Sequence, residues 1–300
     1  MRIDDFTILK RIVRPTKMYN LYHFRSITGF TLDSRTLKKG QAFVALKGTN
    51  YDGHDFIRHA VRRGASAIVA QHDIADRPKV PFFLVEDSYQ ALGEIASYIR
   101  RKKKPFIYGI TGSVGKTTTK EMLHFLLKDN YSILKNHKTD NNILGVAKTI
   151  FALGDEKIMI LELGTNQLGE ICTLAKIARP DVGIITSIKP VHLEGLKDLR
   201  GVFKEKTCLL KVNPRIKAVL NRGDSYLKKI RSGKKILWFG KDKQCDLYGR
   251  LIRRDLKNVT FLIQDKFELI FPRQFEWFID NALAALLGAS LYGLSIESLV

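Results

Sequence analysis

The sequence predicts an α/β protein of two domains, on three observations. Short apolar runs alternate with amphipathic stretches along most of the chain. Several runs (Phe106 to Ile110, Ile158 to Leu163, Val182 to Ile188) are apolar nearly throughout. One of them feeds a glycine-rich turn that opens into a helical pattern. Strands buried on both faces carry no polar side, so this alternation is what a parallel sheet covered by helices looks like in sequence. With 300 residues and 45% hydrophobic content, the chain has apolar material for two cores.

From Ile3 to Leu32 the pattern is irregular. The first clear strand is Gln41 to Leu46, followed after Asp52-Gly53-His54 by a helix from Phe56 to Gly64 with Phe56, Ile57, Ala60 and Val61 at helical spacing. Strands Ala67 to Ala70 and Phe82 to Val85 follow, and Asp87-Ser88 caps a helix running to about Arg101. The basic run Arg100 to Lys104 before Pro105 suits an exposed boundary, which gives a domain over 1–104 and a second over 105–300. The second continues as strand Phe106 to Ile110, helix Lys116 to Lys128, strand Ile158 to Leu163, helix Gly169 to Ala178 and strand Val182 to Ile188. A helix near Val202 to Leu210 and strand Ala218 to Leu220 come next. Ile236 to Phe271 reads as short strands of an antiparallel appendage, and a last helix starts near Ile279.

Chemistry is concentrated where strand Phe106 to Ile110 meets its helix, at Thr111-Gly112-Ser113-Val114-Gly115-Lys116-Thr117-Thr118. A glycine-rich turn before a helix N-terminus gathers backbone N–H groups around an anion, so the segment predicts binding of the phosphates of ATP. Lys116 supplies a cation for the terminal phosphates and Thr117 a hydroxyl for Mg²⁺. The general pattern G-x-x-x-x-G-K-[ST] fails, because Ile110 stands where its first glycine belongs. A Gly-Lys-Thr in an ordinary surface turn is the bland alternative; the strand before it and the helix after it argue otherwise. A metal-holding carboxylate belongs at the end of a neighbouring strand, and Glu162 closes the apolar run Ile158 to Leu161.

The formal net charge of +21 would concentrate polyanions near the protein, yet Lys and Arg are spread along the chain and no aromatic-interleaved RNA-binding signature accompanies them. A nucleic-acid partner is therefore not expected. The N-terminus lacks the apolar core of a secretory signal, and the stretch Asn281 to Leu294 is interrupted and too short for a bilayer, so no membrane insertion and a cytoplasmic location are expected. Cys172, Cys208 and Cys245 are widely spaced and read as isolated reduced thiols.

The loop Thr-Gly-Ser-x-Gly-Lys-Thr-Thr resembles the tight phosphate loop of the Mur ligase family. The run Glu162-Leu163-Gly164-Thr165-Asn166-Gln167-Leu168-Gly169-Glu170-Ile171 is similar to a segment of the branch that joins D-Ala-D-Ala to UDP-MurNAc-tripeptide. Ordered patches agree: Leu32-Asp33-Ser34-Arg35, Phe43 to Gly48, Asp52 to Ile57, Asn141-Asn142-x-x-Gly145 and His192-Leu193-Glu194-Gly195. The resemblance covers roughly residues 30 to 300.

It implies an N-terminal domain that holds the UDP-sugar, with Ser34, Arg35, Asp52, His54, Asn141 and Asn142 as substrate-binding residues. It also implies a central ATP-binding domain that phosphorylates a substrate carboxylate so that an incoming amine can displace phosphate. Lys116 would contact the transferred phosphoryl group. Thr117 and Glu162 would hold one Mg²⁺, and His192 with a CO₂-carbamylated lysine would hold a second. Lys206 matches that lysine better than Lys204 does. Val219 to Asp224 resembles the family's Asn-x-Asp-Asp turn with Gly223 in place of one acid, and Asn221 and Asp224 could equally form a turn and cap.

Two departures stand out. Where the family has Gly-x-His-Asn-x-x-Asn-Ala near the nucleotide base, this chain has Phe275 to Ala282, keeping Asn281 but placing Phe275 and Trp277 at the glycine and histidine positions. The family's third, Rossmann-like domain is expected to be absent from these residues, either removed or encoded on a separate polypeptide. The readings that follow are a ligase needing a third domain, or a relative that binds nucleotide and UDP-sugar as a regulator or scaffold.

Overall fold

A computed structural model of the chain describes residues 2–75, 77–137, 140–231 and 233–299. They divide into two compact units, residues 1–104 with 147–153, and residues 105–146 with 154–300.

The first unit opens with α1 (Phe6–Val13), where Asp5 accepts from the Thr7 N–H at 2.8 Å. β1 (Lys17–Tyr19) and β2 (Gly29–Thr31) follow. The stretch Ile3 to Leu32, expected to be irregular, therefore holds a helix whose buried Leu9, Ile12 and Val13 fall at helical spacing, a 3-10 turn at Leu21–His23 and two strands of three residues, too short to show a period. Next come β3 (Gln41–Val44), a 3-10 turn at Gly53–Phe56, α2 (Ile57–Arg62), β4 (Ala67–Ala70), β5 (Phe82–Leu84) and α3 (Ser88–Lys103). Asp87 starts α3 by accepting from the Tyr89 and Gln90 N–H groups at 2.7 and 3.1 Å. The sheet runs β1-β5-β4-β3-β2, parallel except for β1 against β5. Phe43, Ile68 and Phe82 on one face bury Ile57 and Ala60 of α2.

In the second unit the chain passes through β6 (Phe106–Thr111), α4 (Lys116–Leu127), β7 (Ile133–Lys135), α5 (Ile143–Phe151) and β8 (Ile158–Glu162). It continues through α6 (Glu170–Ala178), β9 (Val182–Ile185), α7 (Leu193–Leu196), α8 (Leu199–Thr207) and β10 (Lys217–Asn221). Last come β11 (Ile236–Gly240), β12 (Leu247–Arg254), β13 (Asn258–Ile263), β14 (Phe267–Pro272) and α9 (Ile279–Ser290). The nine strands order β14-β13-β12-β11-β10-β9-β6-β8-β7. Residues 147–151 of α5 group with the first unit rather than the second.

Only part of the expected antiparallel appendage is antiparallel. β11 lies parallel to β10, and β12 begins parallel to β11 at Leu247 and Tyr248 before pairing antiparallel with β13. Short apolar strands look alike in sequence whichever way they pair. β9 also stops at Ile185, three residues early, because the following backbone turns to the phosphate loop: Ser187 O accepts from the Ser113 N–H at 2.9 Å.

β6 supplies Tyr108 and Ile110 to the face that packs on Leu123 and Leu127 of α4 and Leu283 and Leu287 of α9. The Tyr108 hydroxyl donates to Gly288 O at 3.0 Å, tying that core to α9. On the opposite face Cys172 of α6 and Cys208 are joined in a disulfide, Cα atoms 5.1 Å apart. This corrects the expectation of isolated thiols: 36 residues separate the two cysteines in sequence, but α6 and the turn after α8 are neighbours. Cys245 is free and buried.

Candidate active site

β6 is flanked by β8 on one side and β9 on the other, so the connections leave its carboxyl end in opposite directions. That crevice is where open α/β sheets bind ligands. The predicted loop occupies it. Gly112 and Gly115 have φ of +149° and +84°, and a Cβ on either would collide, with Thr186 Oγ1 at the first and the Asn281 amide at the second. Asn281 donates to Gly115 O and Thr119 Oγ1 at 3.1 and 3.0 Å, so α9 braces the loop from the side.

Several groups of the loop are engaged within the protein. Thr111 is buried and its hydroxyl donates to Leu163 O at 2.9 Å. The N–H groups of Ser113 and Val114 point to Ser187, and the Ser113 hydroxyl donates to Lys189 O at 2.9 Å. These residues hold the loop to β8 and β9. The first turn of α4, at Lys116, Thr117 and Thr118, presents N–H groups without intrahelical acceptors, at the positive end of the helix dipole. Lys116 Nζ lies folded back on Gly112 O at 2.9 Å, and burial lowers its pKa from the ordinary lysine value while the Glu162 charge pulls it upward.

Register explains Glu162. It pairs with Ile110, one residue before the loop, and so emerges beside Thr117, whose hydroxyl donates to Glu162 Oε2 at 2.8 Å. The carboxylate is 2% exposed. Three further residues hold it. Asn141 donates to Oε1 at 3.2 Å, Lys120 Nζ stands 3.8 Å from Oε2, and Asn136 clamps the Glu162 backbone with bonds of 2.9 Å to its N–H and its carbonyl. Lys120, fully buried and donating to Asn136 O at 2.8 Å, was missed from sequence. The available signal was its place one helical turn beyond Lys116. Asn136 carries no sequence signal. Asn142 accepts from the Gly145 N–H at 3.0 Å and starts α5.

The motif Gly-Glu-Ile is built around two carboxylates. Glu170 accepts from the Asn166 and Gln167 N–H groups at 2.6 and 3.0 Å. Glu205, buried on α8, accepts from the Gly169 and Ile171 N–H groups, both at 2.6 Å, and from the Thr165 hydroxyl at 3.3 Å. Glu205 therefore ties the loop after β8 to the helix that carries Lys206, a role sequence reading did not find. Lys206 is 2% exposed, and burial, with the Lys116 charge adding to it, brings its pKa down to about 8. His192 is exposed with a left-handed backbone (φ 51°) at the start of α7. α7 abuts the motif loop so closely that a Cβ on Gly195 would fall on Asn166 O, which accounts for the glycine of His-Leu-Glu-Gly.

Beside the loop lies a cavity of about 620 Å³, with Gly115, Thr118 and Asn281 at one side and Asn221, Trp277 and Phe278 among its other walls. Residues 273–278 form a 3-10 helix in which Phe275 stacks on Phe278 with centroids 5.7 Å apart, and Trp277 stands 81% exposed. Asn221 accepts from the Gly223 N–H at 2.7 Å and donates to Asp280 at 3.2 Å. Asp224 accepts from the Ile188, Tyr226 and Leu227 N–H groups at 2.7, 2.9 and 3.1 Å, so it shapes the turn and pins the segment after β9.

In the first unit Ser34 is buried with its hydroxyl 2.9 Å from His59 Nδ1, and exposed Arg35 pairs with Asp33 at 2.8 Å, which holds the Asp33 carboxyl below its ordinary range. Both ring nitrogens of His54 are engaged. Nδ1 lies 2.5 Å from Asp52 Oδ1, and Nε2 accepts from the Gln71 and His72 N–H groups at 3.1 Å. His54 thus fastens the 52–54 turn to the end of β4.

Loop, switch point and strand-end carboxylate together define an α/β protein of the phosphate-loop type. The Mur ligase middle domain matches residues 110–289, and the Mur ligase family catalytic domain matches residues 26–100. The chain belongs to the Mur ligase family. Among curated relatives, the UDP-N-acetylmuramoyl-tripeptide--D-alanyl-D-alanine ligases of Buchnera aphidicola and Synechocystis are 33% and 34% identical, over 86% and 93% of this chain. It spans 59% and 62% of their lengths. The crystal structure of MurF from Acinetobacter baumannii superposes with a TM-score of 0.86 at 27% identity, covering 98% of this chain and 66% of that one. MurF ligase from Thermotoga maritima, solved with ADP, gives 0.81 at 31% identity, covering 90% and 65%.

Proposed function

We propose that this chain supplies the UDP-sugar-binding and ATP-binding parts of a cytoplasmic ligase that joins D-Ala-D-Ala to UDP-MurNAc-tripeptide in peptidoglycan precursor synthesis. The single observation that carries the reading is the contact of Thr117 with Glu162 at 2.8 Å, at the mouth of a phosphate loop. A hydroxyl and a carboxylate beside phosphates are the hard oxygen donors Mg²⁺ takes, with phosphate oxygens and water completing its shell. Mg²⁺ held there would neutralise charge on the transferring phosphates.

The chain's own groups serve the phosphoryl transfer. N–H groups of the first α4 turn orient the triphosphate, and Lys116 leaves Gly112 O to follow the γ-phosphoryl group. A carboxylate oxygen of the tripeptide attacks the γ-phosphorus, the bond to the bridging oxygen breaks, and ADP leaves. The amine of the dipeptide then attacks the acyl carbon, loses a proton, and expels phosphate. Lys206, with its pKa near 8, has an appreciable neutral fraction at physiological pH. Its amine can add to CO₂, forming an N–C bond and releasing a proton, which turns a buried cation into an anion suited, with His192, to a second Mg²⁺. In the first unit, Arg35 and the turns around Ser34 and Asp52 would receive the UDP-sugar.

The test is ADP release on mixing ATP, Mg²⁺, UDP-MurNAc-tripeptide and D-Ala-D-Ala with the chain, alone and with the remaining third of a relative added. Turnover that needs both substrates and is lost in Lys116→Met supports the reading. Nucleotide binding without turnover under either condition would replace it with a binding or scaffolding role.

A further inference from the structure

Charge is not evenly distributed in the folded second unit. Residues 204–235 carry eleven Lys and Arg against two acids, Glu205 and Asp224. Both acids are buried and engaged with backbone N–H groups of other segments, Glu205 with Gly169 and Ile171, and Asp224 with Ile188. Neither lines the cavity of about 410 Å³ beside this stretch, whose charged walls are Lys211, Lys229, Arg231 and Lys234. Phe203 and Ile230 are among its apolar lining.

Three of the four cations are held in place. The Arg231 guanidinium donates to Lys228 O at 2.9 Å, Lys229 Nζ sits 4.5 Å from the Tyr226 ring centroid, and Lys234 Nζ donates to Asn213 O at 3.2 Å and to Leu210 O. Burial lowers the Lys234 pKa. Cations fixed around one concavity repel one another, and an anion with several adjacent charges relieves that repulsion. A cavity of this size falls in the small-ligand range, too small for a folded partner. It shares no lining residue with the cavity beside the phosphate loop.

We propose that this cleft is a second anion site, separate from the phosphate loop, for a small molecule carrying two or more linked phosphates, its organic part resting on Phe203 and Ile230. Linked phosphates match several cations within one cavity better than a single carboxylate can, and Arg and Lys bind them by charge-assisted hydrogen bonds.

The experiment is calorimetric titration of inorganic tripolyphosphate, and separately of ADP with Mg²⁺, into the chain, Lys116→Met, and the double variant Lys211→Gln/Arg231→Gln, with thermal melts to verify folding. The wild type should show two tripolyphosphate sites. Lys116→Met should keep the cleft site, and the double variant should lose affinity there by about tenfold or more while binding ADP as the wild type does. Tripolyphosphate binding unchanged in the double variant, or abolished entirely by Lys116→Met, would overturn the proposal. So would citrate binding as tightly as tripolyphosphate, or a single-stranded RNA displacing it at far lower concentration. Failure of ADP to bind the wild type would count against the phosphate-loop reading and leave the cleft proposal standing.

Discussion

Replacing Lys206 with methionine should stabilise the fold at neutral pH while removing ligase chemistry. Burial brings the Lys206 pKa from the ordinary 10.5 to about 8. A drop of that size corresponds to about 3 kcal/mol of differential stability. The sign follows from proton counting. Between the two pKa values the unfolded chain binds more protons than the folded one, so stability rises with pH through that window. The penalty is fully present below pH 8 and gone above about 10.5. Methionine fills a similar volume and carries no charge, so in CO₂-free buffer Lys206→Met should exceed the wild type by up to about 3 kcal/mol at pH 7, with the gap closing towards pH 10.5. Urea unfolding of both proteins at the two pH values measures it. Bicarbonate should raise wild-type stability at pH 8 and leave the variant unchanged. A variant no more stable at pH 7, or a gap independent of pH, would refute the reasoning.

Gly112→Ala places a methyl group on Thr186 Oγ1 at a φ of +149° and should abolish nucleotide binding, as seen by loss of the ADP-induced melting shift. Trp277, exposed at the rim of the 620 Å³ cavity, offers an aromatic face to a purine. Trp277→Ala should weaken ADP by about 1–3 kcal/mol without affecting tripolyphosphate at the phosphate loop, and equal losses for both ligands would exclude stacking. Reduction of the Cys172–Cys208 disulfide, which closes a loop of 36 residues, should cost about 4 kcal/mol on the chain-entropy account. A thermal melt unchanged by dithiothreitol would contradict this.

The glycine-rich loop, its strand and its helix were legible because each imposes a local requirement on sequence: apolar residues in a strand buried on both faces, and glycines where φ is positive. Glu162 was legible as a strand-end carboxylate for the same reason. The residues that make Glu162 a site were not. Lys120 and Asn136 were not singled out, and Asn141 was expected to bind substrate; the three converge on Glu162 from α4, the end of β7 and the segment before α5, and only the parallel register of β6, β7 and β8 brings them together. Glu205 and Lys206 illustrate the same limit from the other side. They are adjacent in sequence and look like two charges on an exposed helix, yet both are buried, one capping α6 and the other left with a depressed pKa. Cys172 and Cys208 read as separate thiols because helix packing, invisible in sequence spacing, sets their distance.

The central claim is that the first turn of α4, at Lys116, Thr117 and Thr118, holds nucleotide phosphates beside Glu162. A crystal structure of the chain with ADP and Mg²⁺ tests it most directly. It should show the phosphates against the N–H groups at the start of α4, Lys116 Nζ moved from Gly112 O to a phosphate oxygen, Mg²⁺ on Thr117 and Glu162, and the base in the cavity walled by Trp277. Density for the phosphates at any other place, or none at the loop under saturating ADP, would contradict the account.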